Sequence, residues 1–126
     1  MISDLKNRVD ALYLEYIFPV LATLRLGEDP ATVAYEAELL EAAKAAGVIV
    51  RRYIMPEDLT AEDVTRLIRE INLDPLLPAF LLLEPLPAHL DAAALKALID
   101  PKKALEAGPC EALLSHVCDA AERNAK

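Results

Sequence analysis

The chain has 126 residues, a formal net charge of −8 and a hydrophobic fraction of 55%. This length suffices for one domain with a modest core, and disordered chains are far less apolar. The acidic balance disfavours nucleic acid and anionic membrane surfaces, since both attract clustered lysine and arginine. No apolar run approaches the roughly 18 residues of a membrane helix, and residues 1–6 lack the apolar region of a signal peptide. We therefore expect a cytoplasmic protein with no nucleic-acid or membrane partner.

The hydrophobic pattern predicts helices and strands in alternation along the chain. The first helix should end at Pro19, while Asp29, Thr60 and Asp91 are the expected N-caps of later helices. Gly47 is the expected C-cap of the second helix. The predicted elements, in the order α-β-α-β-α-β-α-α, cover residues 5–18, 20–26, 30–46, 48–54, 61–71, 79–83, 92–99 and 110–123.

Strands that alternate with helices indicate parallel strands joined by right-handed crossovers. We therefore predict a three-layer α/β/α fold with a short, mainly parallel sheet. Residues 1–126 form one predicted domain, and the helix at 110–123 packs either on that domain or on a partner. Ligands of open parallel sheets bind at the carboxyl ends of the strands, which here are 27–29, 55–56 and 84–87.

The residue types that bind metals are sparse in this chain. Cys110 and Cys118 lie eight residues apart in one predicted helix, about 12 Å along its axis, which is too far for a disulfide. The cysteines lack the spacing of zinc ligands, so we expect buried, unreactive thiols and no metal. His89 and His116 have no nucleophile or acid arranged around them in sequence, and we interpret both as structural.

Short motifs at the strand ends resemble those of one enzyme family. Together they are similar to the N-terminal catalytic domain of the bifunctional methylenetetrahydrofolate dehydrogenase/methenyltetrahydrofolate cyclohydrolase family, over about residues 5–108. The resemblance implies the amino-acid-dehydrogenase-like N-terminal domain fold. The motifs are Pro19-Val20-Leu21-Ala22, Gly27-Glu28-Asp29-Pro30-Ala31-Thr32, Tyr35, Pro85-Leu86-Pro87, His89 and Ile99-Asp100-Pro101-Lys102-Lys103.

The family's NAD(P)-binding domain has no counterpart in this sequence. The chain holds only three glycines and no GxGxxG motif, so we expect no cofactor. Hydride transfer is therefore not expected of this chain alone.

The resemblance also implies where the family's catalytic lysine would stand. Family members place a lysine four residues after the tyrosine that corresponds to Tyr35, and that lysine performs acid/base chemistry. Leu39 occupies this position, and it cannot carry a proton. Lys44, nine residues after Tyr35, should lie on the opposite face of the helix. We therefore assign no catalytic residue.

At two further positions the chain also has an apolar residue where the family has a polar one. The glutamine that hydrogen-bonds the family's lysine corresponds to Leu83, and the family's Asp-Val-Asp-Gly motif corresponds to residues 104–107. In that motif Ala104 replaces the first acid, while Glu106 keeps the second with one more methylene. Loss of both partners of a buried polar pair leaves neither unsatisfied, which indicates decay of the site.

The expected ligand-binding residues are Tyr35, Pro85, Leu86, Pro87 and Glu106. Each has a plainer interpretation: Tyr35 as a tyrosine packed on the sheet, Glu106 as a solvated acid, and the prolines as a strand terminator.

The function predicted from these residues is that of a degenerate, stand-alone relative without catalysis, which still binds a folate-like small molecule or another protein. One alternative is an active one-carbon folate enzyme whose base has moved to Glu84 or Glu106. The other is a structural or assembly module, in which the last helix covers an apolar patch or forms a homodimer.

Overall fold

Three parallel strands form the central sheet of the computed structural model, which describes residues 2–125. Strand β1 (Val20–Leu26) lies in the middle, between β2 (Ile49–Met55) and β3 (Ala79–Leu82). Thr23 in β1 is in register with Arg52 on one side and Leu81 on the other. The predicted parallel sheet is confirmed, and β1 and β3 are its buried strands.

Helices cover both faces of this sheet, as the predicted three-layer fold requires. One apolar cluster joins α1, α2 and α5 to one face, with Val9, Leu39 and Leu114 among its members. The second joins α3 and α4 to the other face and includes Ile68 and Leu95. The five helices are α1 (Ile2–Leu14), α2 (Pro30–Ala46), α3 (Ala61–Leu73), α4 (Ala92–Lys96) and α5 (Cys110–Asn124).

The predicted helix caps are confirmed by hydrogen bonds. Asp29 accepts from the backbone N–H groups of residues 31 and 32, Thr60 accepts from residue 63, and Asp91 accepts from residue 94. Gly47 ends α2 in the left-handed conformation, with φ at 86°. Any larger residue there would be strained, and its Cβ would come within 3.3 Å of Val9.

The first helix is shorter than its apolar spacing predicts. It ends at Leu14, because Tyr16 adopts a left-handed conformation with φ at 58°. The Ile17 N–H then donates to the carbonyl of Leu12 at 2.9 Å, which closes the helix end. The predicted continuation to Phe18 was wrong, because the last apolar residues of the stripe belong to the loop before β1.

The fourth helix is also shorter than predicted, since α4 ends at Lys96 and not at Ile99. The N–H groups of Leu98 and Ile99 donate to carbonyls three residues earlier, so the chain leaves the helix through tight turns. The second strand begins and ends one residue later than predicted.

The last helix packs against the first through a charged cluster. The Arg8 guanidinium donates to Asp119 Oδ1 at 2.6 Å and also to Glu122. Cys118 is buried beneath this cluster, Cys110 is half-buried, and both thiols are free. Burial raises the pKa of each thiol, which makes the reactive thiolate scarcer. No helix within residues 2–125 is long and apolar enough to cross a membrane.

Candidate functional site

The carboxyl ends of the strands meet at one edge of the sheet, as parallel pairing requires. Leu83 follows β3 and donates its N–H to the carbonyl of Leu24 at 3.0 Å. The segment 84–87 then turns toward the start of α2, where the Thr32 hydroxyl donates to the Glu84 carbonyl at 3.0 Å. The peptide bond between Glu84 and Pro85 is cis. These contacts fix segment 84–87 beside the helix that carries Tyr35.

Pro85, Leu86 and Pro87 line a recess of about 300 Å³ at this edge. Its other walls include Glu28 and Glu57, which follow β1 and β2, so the three strand ends do converge as predicted. Carboxylates predominate among the charged groups here, and the recess is therefore electronegative.

Leu39 and Leu83 both lie inside the protein core. Their residues are 0% and 2% exposed, and they belong to the same apolar cluster between α2 and the sheet. Lys44, farther along α2, is exposed at the surface. The structure therefore places two leucine side chains where the family resemblance expects an amine and an amide.

Tyr35 is half-buried against that same cluster, one helical turn before Leu39. Its hydroxyl donates to the Gly108 carbonyl at 2.7 Å and accepts from the Gly108 N–H at 3.1 Å. Burial raises the pKa of this phenol, so the hydroxyl keeps its proton at neutral pH. The tyrosine thus holds the loop 104–109 against α2.

Glu106 lies on the loop 104–109 and lines a second recess of about 430 Å³. Its side chain is 77% exposed, and its Oε2 accepts from the Lys96 ammonium at 2.9 Å. The same ammonium lies 3.3 Å from Glu84 Oε2. The bond to Glu106 raises the pKa of Lys96. Lys96 therefore links the loop 104–109 to segment 84–87. Tyr35 lines neither of the two recesses.

Sequence reasoning missed Lys96, because its partners are 10 and 12 residues away and only the fold brings them together. The two histidines lie outside this linkage, although His116 lines the same recess as Glu106. His89 Nε2 is 2.9 Å from the Leu59 carbonyl, and the exposed His116 lies 3.6 Å from Asp119.

A buried ion cluster lies next to Tyr35 and was also missed. Glu36 Oε1 accepts from Arg25 Nε at 3.1 Å and from Arg52 Nη2 at 2.9 Å. Arg25 donates in addition to the Gly27 carbonyl at 2.6 Å. Glu36 is 2% exposed, and its second oxygen is buried with no hydrogen-bond partner within residues 2–125. The cluster fastens α2 to β1 and β2 beneath the site.

The sequence did carry a signal for this cluster. Arg25 interrupts an apolar strand that we predicted to be buried, and a buried guanidinium requires an acidic partner. Glu36 is the buried acid that supplies it. Only the packing of α2 on the sheet, however, shows which acid of that helix is used.

Comparison with known proteins gives one consistent match. A family model described as tetrahydrofolate dehydrogenase/cyclohydrolase, catalytic domain, matches residues 1–106. The chain is 38% identical over 104 residues to the bifunctional protein FolD 2 of Sinorhizobium medicae. The aligned region covers 82% of this chain and 35% of that protein. It is 32% identical over 104 residues to the bifunctional protein FolD of Alkaliphilus metalliredigens, and this alignment covers 82% of this chain and 37% of that protein.

Solved structures agree with this match. The chain aligns with the bifunctional FolD enzyme of Campylobacter jejuni with a TM-score of 0.79 and 25% identity, over 82% of this chain and 36% of that one. The FolD enzyme of Trypanosoma brucei, solved with NADP and an inhibitor, aligns with a TM-score of 0.76 and 26% identity. The alignment covers 81% of this chain and 35% of that one. The chain spans about a third of the length of these relatives.

Proposed function

Because this chain belongs to the tetrahydrofolate dehydrogenase/cyclohydrolase catalytic domain family, we propose that it is a catalytically silent member of that family. The observation that carries the proposal is the burial of Leu39 and Leu83 in one apolar cluster. Neither side chain can accept or donate a proton, and acid/base catalysis needs a group that does. The frame around the site is retained while its proton-transferring pair is absent.

The apolar packing at positions 39 and 83 supports a true loss of the polar pair over an incorrect alignment with the family. A lysine–glutamine pair replaced by two leucines leaves no buried polar atom unsatisfied at either position. Each leucine buried in this way contributes about 1.5–3 kcal/mol of hydrophobic stabilisation. The exposed Lys44 lies too far along α2 to act in place of Leu39.

The surroundings of the two candidate bases favour the silent domain over an enzyme with a relocated base. Glu84 and Glu106 both interact with the Lys96 ammonium, and their side chains are 44% and 77% exposed. Burial in an apolar pocket is what turns a carboxylate into a base that works near neutral pH. Neither carboxylate has such surroundings.

The same proposal assigns weak binding of a folate-like molecule to the predicted residues Tyr35, Glu106 and the segment 85–87. The Glu106 carboxylate is accessible to a ligand's N–H groups, and the half-buried Tyr35 ring lies beside the loop that carries it. A ligand at Glu106 would have to compete with Lys96 for the carboxylate, so we expect a dissociation constant no tighter than the micromolar range.

Two measurements on the full chain separate binding from catalysis. Calorimetric titration with tetrahydrofolate should give weak binding that Glu106→Gln reduces, while the control Glu62→Gln, at an 85% exposed side chain on α3, leaves it unchanged. Hydrolysis of methenyltetrahydrofolate should proceed at the rate in buffer alone. A faster rate that Tyr35→Ala abolishes would refute the silent domain, and absence of binding at millimolar ligand would refute the binding assignment.

A further inference from the structure

Two adjoining recesses lie at the opposite edge of the sheet, where the strands begin. One has a volume of about 340 Å³ and is lined by Lys102, Lys103 and Arg123, with Asp100 as its one acid among residues 2–125. The other has a volume of about 170 Å³ and is lined mainly by apolar side chains of the segments before β1 and β3. Pro78 and Asn124 line both, so the two recesses share a wall.

The first recess concentrates positive charge on a strongly acidic chain. Three cations line it on a protein whose net charge is −8. The Asp100 carboxylate already accepts the backbone N–H of Lys102 at 2.9 Å. An anion is therefore the charged group that this recess can bind favourably.

Lys103 is the buried cation of the recess, with 7% of the residue exposed. Its ammonium donates to the carbonyls of Ile71 and Asp74, each at 2.8 Å, which fixes it at the end of α3. An ammonium has three donors, and no third acceptor bonds it among residues 2–125. Burial lowers the pKa of Lys103, so a bound anion would stabilise its charged form.

The second recess exposes large apolar side chains, and no charged residue among residues 2–125 lines it. Tyr16 is 84% exposed, Leu76 72% and Phe18 50%. Tyr16 is also held at φ 58°, a conformation that glycine adopts easily and tyrosine only with strain. Apolar surface that is grouped in this way marks a binding surface more often than single exposed leucines do.

We propose that the two recesses form one binding site for a small amphipathic anion. Its carboxylate or phosphate head lies among Lys102, Lys103 and Arg123, and its apolar body covers Tyr16 and Leu76. The volume of the first recess falls within the range of about 300–1,000 Å³ typical of small-molecule sites. The site lies at the amino ends of the strands, at the opposite edge of the sheet from the folate-like site.

NMR titration of the ¹⁵N-labelled full chain tests the site with defined probes. We expect octanoate or octyl phosphate to shift the backbone amides of residues 16–18, 76–77, 100, 102–103 and 120–125. Octanol, which lacks the charge, and inorganic phosphate, which lacks the apolar body, should each bind at least tenfold more weakly. Shifts centred on another face, or equal binding of octanol and octanoate, would overturn the proposal.

Charge-reversal variants distinguish binding at this site from nonspecific attraction of anions to the protein. The double variant Lys102→Glu/Arg123→Glu should weaken octanoate binding at least tenfold. The control Lys44→Glu/Arg66→Glu makes the same change in net charge at exposed positions on α2 and α3 and should have little effect. Leu76→Ser, at an exposed position, tests the apolar half independently and should weaken octanoate but not inorganic phosphate. Equal effects of the two charge variants would contradict the site.

Discussion

Leu39 and Leu83 lie in the core at the two positions where the family resemblance implies a lysine and a glutamine. Both side chains join the apolar cluster that binds α2 to the sheet, and both are essentially inaccessible to water. An ionisable group at position 39 would now lose its hydration without gaining a polar partner.

The variant Leu39→Lys should therefore lower the free energy of unfolding at pH 7 by about 3 kcal/mol or more. Burial would lower the folded-state pKa of the new lysine below its unfolded value of about 10.4. The destabilisation should thus be largest at low pH and fade as the pH rises toward that unfolded value. Urea unfolding at pH 7 and pH 10 measures this. A Leu39→Lys variant as stable as the wild type at pH 7 would mean that the position is open to solvent.

Arg25 and Glu36 form a buried ion pair, and the stability of the fold depends on both of its members. Glu36→Leu leaves the 7% exposed Arg25 without its carboxylate and should cost about 3–5 kcal/mol. The double variant Arg25→Leu/Glu36→Leu should recover most of that loss, because an apolar pair leaves no buried charge. Arg52→Leu is the control, since the Arg52 side chain is 39% exposed and should cost at most about 1 kcal/mol. A double-mutant cycle by urea unfolding measures the coupling, and additive losses would contradict it.

At the scale of elements, the charged cluster between α1 and α5 makes the stability of their contact depend on pH. The hydrogen bond from Arg8 holds the pKa of Asp119 below its ordinary value of 3.8. Such a group stabilises the fold fully above its unfolded pKa, and this contribution is lost as the pH falls through the folded pKa. The Asp119 side chain is 46% exposed, so solvent screening keeps the contribution small.

Arg8→Met should accordingly lower the free energy of unfolding at pH 7 by about 1 kcal/mol. The difference from the wild type should shrink as the pH falls below 3.8 and through the lower folded-state pKa of Asp119. Lys6→Met is the matched control, because its pair with Asp10 is exposed on both sides and joins no second element. Urea unfolding at pH 7 and pH 2.5 checks this. A constant difference at both pH values would show that Asp119 does not contribute.

The order of helices and strands followed from sequence because each element carries its own local signal. Asp29 and Gly47 fixed both ends of α2, and the continuous apolar run of β3 indicated a strand covered on both faces. The end of α1 was missed, since nothing in the sequence marks Tyr16 as a residue that adopts a left-handed conformation. Local signals therefore determine where most elements lie, and their exact ends depend on packing.

The candidate site could be predicted only in part, for a related reason. The sequence shows directly that positions 39 and 83 hold leucine, where the family resemblance implies a lysine and a glutamine. The linkage through Lys96 and the ties of Tyr35 to Gly108 join residues that are far apart in sequence. Contacts of this kind arise only when the sheet and both helical layers are assembled.

At the scale of the whole molecule, the two edges of the sheet carry different surfaces. The carboxyl ends of the strands form an acidic recess beside Glu28 and Glu57, while the amino ends form a basic recess next to an apolar one. The proposed silent site lies at the first edge. The second edge carries the proposed site for an amphipathic anion.

Single-turnover hydrolysis of methenyltetrahydrofolate, with the full chain in excess over the substrate, tests the central claim most directly. An excess of protein makes even a slow active site visible in one exponential decay. We predict that the wild type, Glu84→Gln and Glu106→Gln all give the decay rate of buffer alone. A wild-type rate above that of buffer, lowered by either glutamine variant, would contradict a silent site and identify the carboxylate that acts as its base.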